Sequence, residues 1–351
     1  MTNIKLGIVG GGQLGRMSAL AAANLGIETV IYCPEPDSPA SQVVKTTING
    51  AYDDQTKLQE FADQVDYISY EFENIPVETV EFLEQHKPVY PKASLLQASQ
   101  DRIEEKTFLN NIDIPTARWA APKSPQDVLD TLNVWNAEEC ILKTIRFGYD
   151  GKGQARYTGD TDIETLWTQF NDQTLIMEEI VDFTCEISVI VARDVNGKII
   201  HYGPMLNEHK NHILSKTTLP APLDKDVCDE AVRLTERLAK HIGLKGVLTL
   251  ELFVTSDNSL LANEIAPRTH NSGHWSIDAC AHSQFENHVR AVCDLPVLGP
   301  ARHSDCEMLN LIGDDVENLD EMLKTDKACI HIYGKHEVKP GRKMGHVTIL
   351  K

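Results

Sequence analysis

Two acidic residues set among apolar ones are the first candidates for chemistry. Glu251 lies in Thr249-Leu-Glu-Leu-Phe253 and Glu264 in Leu260-Leu-Ala-Asn-Glu-Ile265, apolar runs that the turn Ser256-Asp-Asn-Ser259 would fold into a hairpin. Carboxylates held among apolar side chains are costly unless something compensates them. A divalent cation does so. Oxygen-only ligands completed by phosphate suit Mg2+, with Mn2+ able to take its place; the alternative is a pair of edge-strand acids facing water. Pro267-Arg-Thr-His-Asn-Ser-Gly-His274 follows directly. Histidines four apart suit zinc on a helix, but the intervening Asn-Ser-Gly reads as a loop, and Arg268, His270 and Asn271 are better suited to donate to an oxyanion. There is no Gly-x-Ser-x-Gly and no nucleophile set beside a base, so nucleophilic hydrolysis has no support.

Two glycine-rich turns come earlier. Gly10-Gly-Gly-Gln-Leu-Gly15 follows an apolar run and opens an alanine- and leucine-rich segment, matching G-x-G-x-x-G. Such a turn brings amides and a helix N-terminus to a phosphate. Glu35, about 20 residues on, keeps a nicotinamide-dependent dehydrogenase open, and a turn needed only for helix–sheet packing also remains. Gly148-Tyr-Asp-Gly-Lys-Gly-Gln154 follows the strand that carries Lys143. Three glycines around Lys152 make either a flap that closes over phosphates or a plain hairpin tip; the P-loop pattern fails. In Met177-Glu-Glu-Ile-Val181, alternation puts Glu178 and Glu179 on opposite faces of a strand end. That segment can read an adenine edge and a ribose, or be a solvated acidic end. From Lys335 to Lys351, five Lys/Arg stand against one acid, Glu337, in a chain of net charge −19. They form a patch for a small anion or a solvated basic tail.

The elements that must position these residues follow from periodicity. Strands at 4–9, 29–33 and 65–70 alternate with helices at 17–25 and 77–86, which implies a Rossmann-like, doubly wound parallel sheet in an α/β domain over 1–100. A charged helix at 101–112 opens an α+β domain over 101–295. Its strands are expected at 140–144, 174–180, 185–192, 198–203, 247–254 and 259–264, and its helices at 125–134, 162–170 and 226–242. A small β-rich C-terminal domain, 296–351, carries short strands at 308–312, 328–333 and 346–350, too few for a core of their own. The strongly acidic balance argues against nucleic-acid or anionic-membrane partners, and no apolar run has a membrane helix's length. Eight cysteines without a Cys-x-x-Cys, and a start without an export signal, fit a reducing cytoplasm.

The order of these features is itself informative: nucleotide-style turn, phosphate lysine, glycine flap, acidic hinge, paired carboxylates, anion loop. In that order the chain resembles the ATP-grasp superfamily and, within it, the 5-(carboxyamino)imidazole ribonucleotide synthase family. The residues carrying the resemblance are Gly10-Gly-Gly-Gln-Leu-Gly-Arg-Met17, Tyr70-Glu-Phe-Glu-Asn-Ile-Pro76, Gln100-Asp-Arg102, Lys106, Gly148 to Gln154, Asn263-Glu-Ile-Ala-Pro-Arg268, His270-Asn-Ser-Gly-His274 and Arg342-Lys-Met-Gly-His346.

The resemblance implies a central ATP-grasp fold. It also implies ATP- and bicarbonate-dependent carboxylation of the 5-amino group of 5-aminoimidazole ribonucleotide through carboxyphosphate, in de novo purine biosynthesis. ATP would meet Arg102, Lys143 and the loop Gly148, Tyr149, Asp150, Gly151, Lys152, Gly153 and Gln154. Its adenine and ribose would meet Glu178, Glu179, Ile180, Val181 and Glu186, and His209, Asn263 and Glu264 would complete the site. Glu251 and Glu264 would hold Mg2+. Gln13, Leu14, Glu73, Lys335 and Arg342 would bind the ribonucleotide. Arg268, His270 and Asn271 would hold bicarbonate, with Lys152 also catalytic. A cytoplasmic homodimer is implied. Rival readings are another ATP-grasp ligase, such as formate-dependent glycinamide ribonucleotide transformylase or biotin carboxylase, the dehydrogenase above, and a non-catalytic nucleotide-binding regulator.

Overall fold

The computed structural model describes residues 3–146, 148, 153–171 and 173–351. The first unit runs β1 (Lys5–Val9), α1 (Gln13–Asn24), β2 (Glu28–Cys33), β3 (Thr46–Asn49), α2 (Gln55–Asp63), β4 (Tyr67–Tyr70), α3 (Val77–Glu84) and α4 (Ala93–Gln100). Its strands pair in parallel in the order β3-β2-β1-β4. β1, β2 and β4 are buried almost throughout because helices cover both faces, while β3 lies at the edge. On one face, Leu14, Met17 and Ala22 of α1 pack with Phe285, Val289 and Val292, which belong to a helix far along the chain.

The middle of the chain runs α5 (Arg102–Asn111), β5 (Trp119–Ala120), α6 (Pro125–Trp135), β6 (Cys140–Thr144), β7 (Gln154–Tyr157), α7 (Ile163–Thr168), β8 (Leu175–Glu179), β9 (Phe183–Arg193), β10 (Ile199–Lys210), β11 (Ile213–Leu219), α8 (Lys225–His241), β12 (Gly246–Thr255), β13 (Leu260–Ala266), α9 (Ser276–Ala279) and α10 (Gln284–Val292). The last stretch adds β14 (Cys306–Ile312), α11 (Leu319–Met322), β15 (Ala328–Ile332) and β16 (Lys343–Leu350). Two antiparallel sheets result. One is four-stranded, β5-β8-β6-β7; the other is eight-stranded, β13-β12-β9-β10-β11-β14-β16-β15.

The apolar stripe of α8, Val227, Ala231, Leu234 and Leu238, buries against Ile187, Val189, Val191, Leu248 and Leu250 of β9 and β12. That is the helical period read from the sequence doing its packing. The three short C-terminal strands share a core with their neighbours: β14 pairs with β11, so β14, β16 and β15 extend the large sheet. Cys306 and Met308 thereby join Met205, Leu214 and Trp275 in one cluster.

Candidate active site

The two acids of the β12–β13 hairpin come together through a bulge. Leu250 faces Ile265, but Leu252 faces Ala262, so Glu251 alone opposes both Asn263 and Glu264. An extra residue on one strand re-aims side chains. Here it helps set Asn263, Glu264 and Glu251 along one wall of a cleft of about 1100 Å³. Helix α5 clasps the bulge from behind. Asp101 caps that helix by accepting from the amides of Ile103 and Glu104. Glu105 then accepts from the Ile265 amide at 2.6 Å, and Lys106 donates to the Asn263 carbonyl at 3.1 Å. Burial pushes the Glu105 carboxyl up to about 8, against the pull of Lys106.

The two acids titrate in opposite directions. Burial alone would raise Glu251, but His270, whose Nε2 lies 3.1 Å from Oε1, outweighs it, with His209 and Lys343 adding, and holds the carboxyl below its ordinary value. Glu264 is raised by withdrawal from bulk water and then by the charge of Glu251. A cation between them would relieve that repulsion, and hard carboxylate oxygens are the donors that Mg2+ takes. The donor set therefore fits the metal.

Positive charge gathers on the β6–β8 sheet side. Lys143 donates to Glu178 at 2.8 Å, Lys106 lies 3.7 Å from the same oxygen, and Arg102 stands beside Glu264 at 3.9 Å. Burial would raise Glu178, but Lys143, Lys106 and Arg102 prevail and hold it at about 2. Lys143 itself is lowered, first by burial. Glu178 and Glu264 thus answer three cations, and the cluster keeps positive charge for an anion. Gly148 accepts from Arg102 through its carbonyl at 3.1 Å. Gly153 has φ +68°, a left-handed conformation that suits glycine, and Gln154 pairs with Lys143 across β6–β7. Tyr149, Asp150, Gly151 and Lys152 lie outside the described residues.

Several expected residues do line the cleft: Glu73, Glu186, His209, Arg268, His270, Asn271 and Arg342. Glu186 and His209, on paired strands, are 3.4 Å apart. Burial opposes protonation of His209, yet Glu186 and then Glu251 raise it. Arg268 Nε donates to Glu73 at 2.7 Å, tying the first sheet to the cleft. Asn271 and Asn310 exchange amide hydrogen bonds at 2.8 and 2.7 Å. The basic tail divides: Arg342 and Lys343 reach the cleft, whereas Lys339 and Lys351 pair with Glu337 and Glu307 at the surface. Lys335 donates to the Lys343 carbonyl at 2.6 Å, and burial, then Arg342, bring its ammonium down to about 8.

Other expectations change. The side chains of Glu178 and Glu179 are engaged, one by the lysines and the other by Arg118. Ile180 and Val181 follow the end of β8. What this segment can still offer a nucleotide is backbone. Gln13 and Leu14 start α1, and neither reaches the cleft. Leu14 is buried in the core of the first unit. The histidines of the anion loop do not converge: His270 turns to Glu251, while His274 Nδ1 lies 3.3 Å from Gln284 Nε2.

The first glycine turn holds the largest surprise. Glu71 accepts from the amides of Gly12 at 2.8 Å and Gly15 at 3.3 Å, so a carboxylate of the chain itself sits where a cofactor phosphate would bind. A Cβ on Gly12 would come within 2.6 Å of that carboxylate. Burial raises Glu71, while those amides and Arg268 pull it down. The dehydrogenase reading loses its phosphate site here. Glu71, Glu105 and Lys106 had no assigned role; the available signal was an acid or base placed where helix or strand periodicity demanded an apolar residue.

Comparison with known proteins matches this architecture. Residues 1–100 match the ribonucleotide synthetase preATP-grasp domain, 107–285 the ATP-grasp domain and 306–351 the phosphoribosylaminoimidazole carboxylase C-terminal domain. The N5-carboxyaminoimidazole ribonucleotide synthase of Brucella melitensis is 45% identical over 99% of this chain and 96% of its own. The N5-carboxyaminoimidazole synthetase of Staphylococcus aureus, solved with ADP, superposes with a TM-score of 0.94 at 35% identity, covering 99% of this chain and 93% of the other. The Aspergillus clavatus N5-carboxyaminoimidazole synthase, solved with ADP and 5-aminoimidazole ribonucleotide, gives 0.92 at 28% identity, covering 100% and 95%.

Proposed function

The chain belongs to the N5-carboxyaminoimidazole ribonucleotide synthases, ATP-grasp ligases of purine biosynthesis that carboxylate 5-aminoimidazole ribonucleotide, and on that premise we propose how its own residues divide the work. The observation that carries the proposal is the cleft's charge pattern: two lysines on the buried Glu178 with Arg102 beside Glu264, next to two carboxylates that repel each other.

Bicarbonate is a poor electrophile, because its carbon is electron-rich and hydroxide leaves badly. Transfer of the ATP γ-phosphoryl group to a bicarbonate oxygen makes carboxyphosphate and ADP. Such a transfer depends on alignment and charge neutralisation more than on covalent catalysis. Arg102 and Lys143 hold the phosphates, together with Gly148, Gly153 and Gln154. The backbone after Glu179 receives the adenine, and Glu186 the ribose, with His209 fixing Glu186. Glu251 and Glu264 are the residues that would hold Mg2+, which when bound neutralises charge on the phosphates.

Arg268, His270 and Asn271 orient bicarbonate. The ribonucleotide's 5-amine then attacks the carbon of carboxyphosphate, or of the CO2 it releases; the carbon–oxygen bond to phosphate breaks, phosphate leaves, and the amine gives up a proton. Lys335 and Arg342 bind the ribonucleotide's phosphate. Because carboxyphosphate hydrolyses readily, the cleft must close over it. We assign the work to three domains, 1–100, 101–295 and 296–351, in a cytoplasmic homodimer. The test is ADP release with ATP, Mg2+ and bicarbonate, with and without 5-aminoimidazole ribonucleotide. Release that depends on the ribonucleotide, with a carboxylated product, is expected. ATP binding without turnover would refute the proposal in favour of a regulator.

A further inference from the structure

A second cluster of chemistry-bearing side chains lies outside the cleft. Asp278 comes from α9, and His331 and His346 face each other across the β15–β16 ladder. None of the three lines the cleft. One ligand atom from each lies within 4.8 Å of the other two. His331 Nε2 meets both Asp278 oxygens, at 3.1 and 3.0 Å. His346 is fully buried. Its Nδ1 bonds the Tyr333 hydroxyl at 2.9 Å, and its Nε2 has no partner.

We propose that Asp278, His331 and His346 form a zinc site that fastens α9 to the β15–β16 ladder. Two imidazoles and a carboxylate are a recurrent zinc ligand set, with water in the fourth position. A buried ring nitrogen without a partner is an expensive thing to keep, and a ligated ion satisfies it. The Tyr333 bond supplies the outer support that ligating histidines show: with the Nδ1 proton given to the hydroxyl, the Nε2 lone pair is left for the metal. Magnesium, which prefers oxygen, does not suit this set.

The two imidazole rings stack at 4.5 Å with 12° between their planes, so one must tilt before both can point a nitrogen at one ion. Zinc–nitrogen bonds of 2.0–2.1 Å put tetrahedral ligand atoms about 3.3 Å apart. Binding therefore draws the three ligand atoms together and turns one ring, and the ion takes the place of the proton between His331 and Asp278. The site would brace the segment after His270 and Asn271 against the strand that begins at Lys343.

The cleft also combines imidazole and carboxylate, at His270 and Glu251, so the experiment must separate the two places. The full-length protein is stripped with a chelator, given Zn2+ and desalted, and metal per chain is measured for wild type, Asp278→Asn, His331→Gln and Glu251→Gln, with far-UV circular dichroism checking each fold. One zinc per chain is expected in wild type and in Glu251→Gln, with at least tenfold weaker retention in the other two. Zn2+ should also raise the melting temperature of wild type but not that of Asp278→Asn. Wild type that retains no zinc, retention unaltered in both cluster variants, or loss confined to Glu251→Gln would overturn the proposal.

Discussion

The turn at Gly10–Gly15 and the cluster of Arg102, Lys106 and Lys143 are both built to receive negative charge, and they receive it from different sources. In the first, Glu71 already accepts from the amides of Gly12 and Gly15. In the second, Glu178 answers only part of the charge of three cations. Amides are weak partial charges, and one carboxylate satisfies them. Three cations against Glu178 and Glu264 leave positive charge standing in a cleft, which favours a polyanion. A motif therefore says that an anion can sit at a place; only the neighbouring side chains say whether the chain brings its own.

Three experiments press on that contrast. Lys143→Met should have the largest effect. It removes the ammonium closest to Glu178 and lowers ADP release by about 100- to 1000-fold, the usual result of deleting a group that stabilises transferring charge. An unchanged rate would mean that the cluster serves structure alone. Glu71→Ala comes next. It orphans two part-buried amides, each costing up to about 1–3 kcal/mol, and urea titration should show a lower midpoint. Wild-type stability in that variant would break the comparison from the other side. The smallest effect concerns Lys335, whose ammonium titrates at about 8. It carries its charge below that pH and loses it above, while a phosphate monoester stays a dianion throughout. KM for the ribonucleotide should rise up to tenfold between pH 8 and 9, whereas Lys335→Arg, which stays charged, gives a flat profile.

Much of this was legible in the order of residues. The 226–242 stripe appears as α8, and the β12–β13 hairpin pairs as its turn requires. Long-range choices were less readable. α10 carries Gln284, Asn287 and His288 on buried positions, so its polar residues disguise a core helix; each finds a partner only in the folded chain. Strand β11 contains Ser215, Lys216, Thr217 and Thr218 and reads as polar, yet it joins the two halves of the large sheet. In the site, Glu251 and Glu264 were visible because acids among apolar residues demand a reason. Glu105 was hidden, and Lys106 stood out only through the resemblance, because a charged helix is ordinary until its charges turn out to face inward.

The bulge opposite Glu251 has a consequence for how this chain can vary in length. At the hairpin tip, Ser256–Ser259, adding or losing a residue alters a solvent-facing turn. Dropping Asn263 instead erases the two-against-one pairing, keeps Leu250 on Ile265 and Leu252 on Ala262, and leaves Glu264 squarely opposite Glu251. Deletions a few positions apart would thus meet opposite fates: one tolerated as a shortened loop, the other taking Asn263 out of the cleft wall and re-aiming Glu264 although both acids are still present.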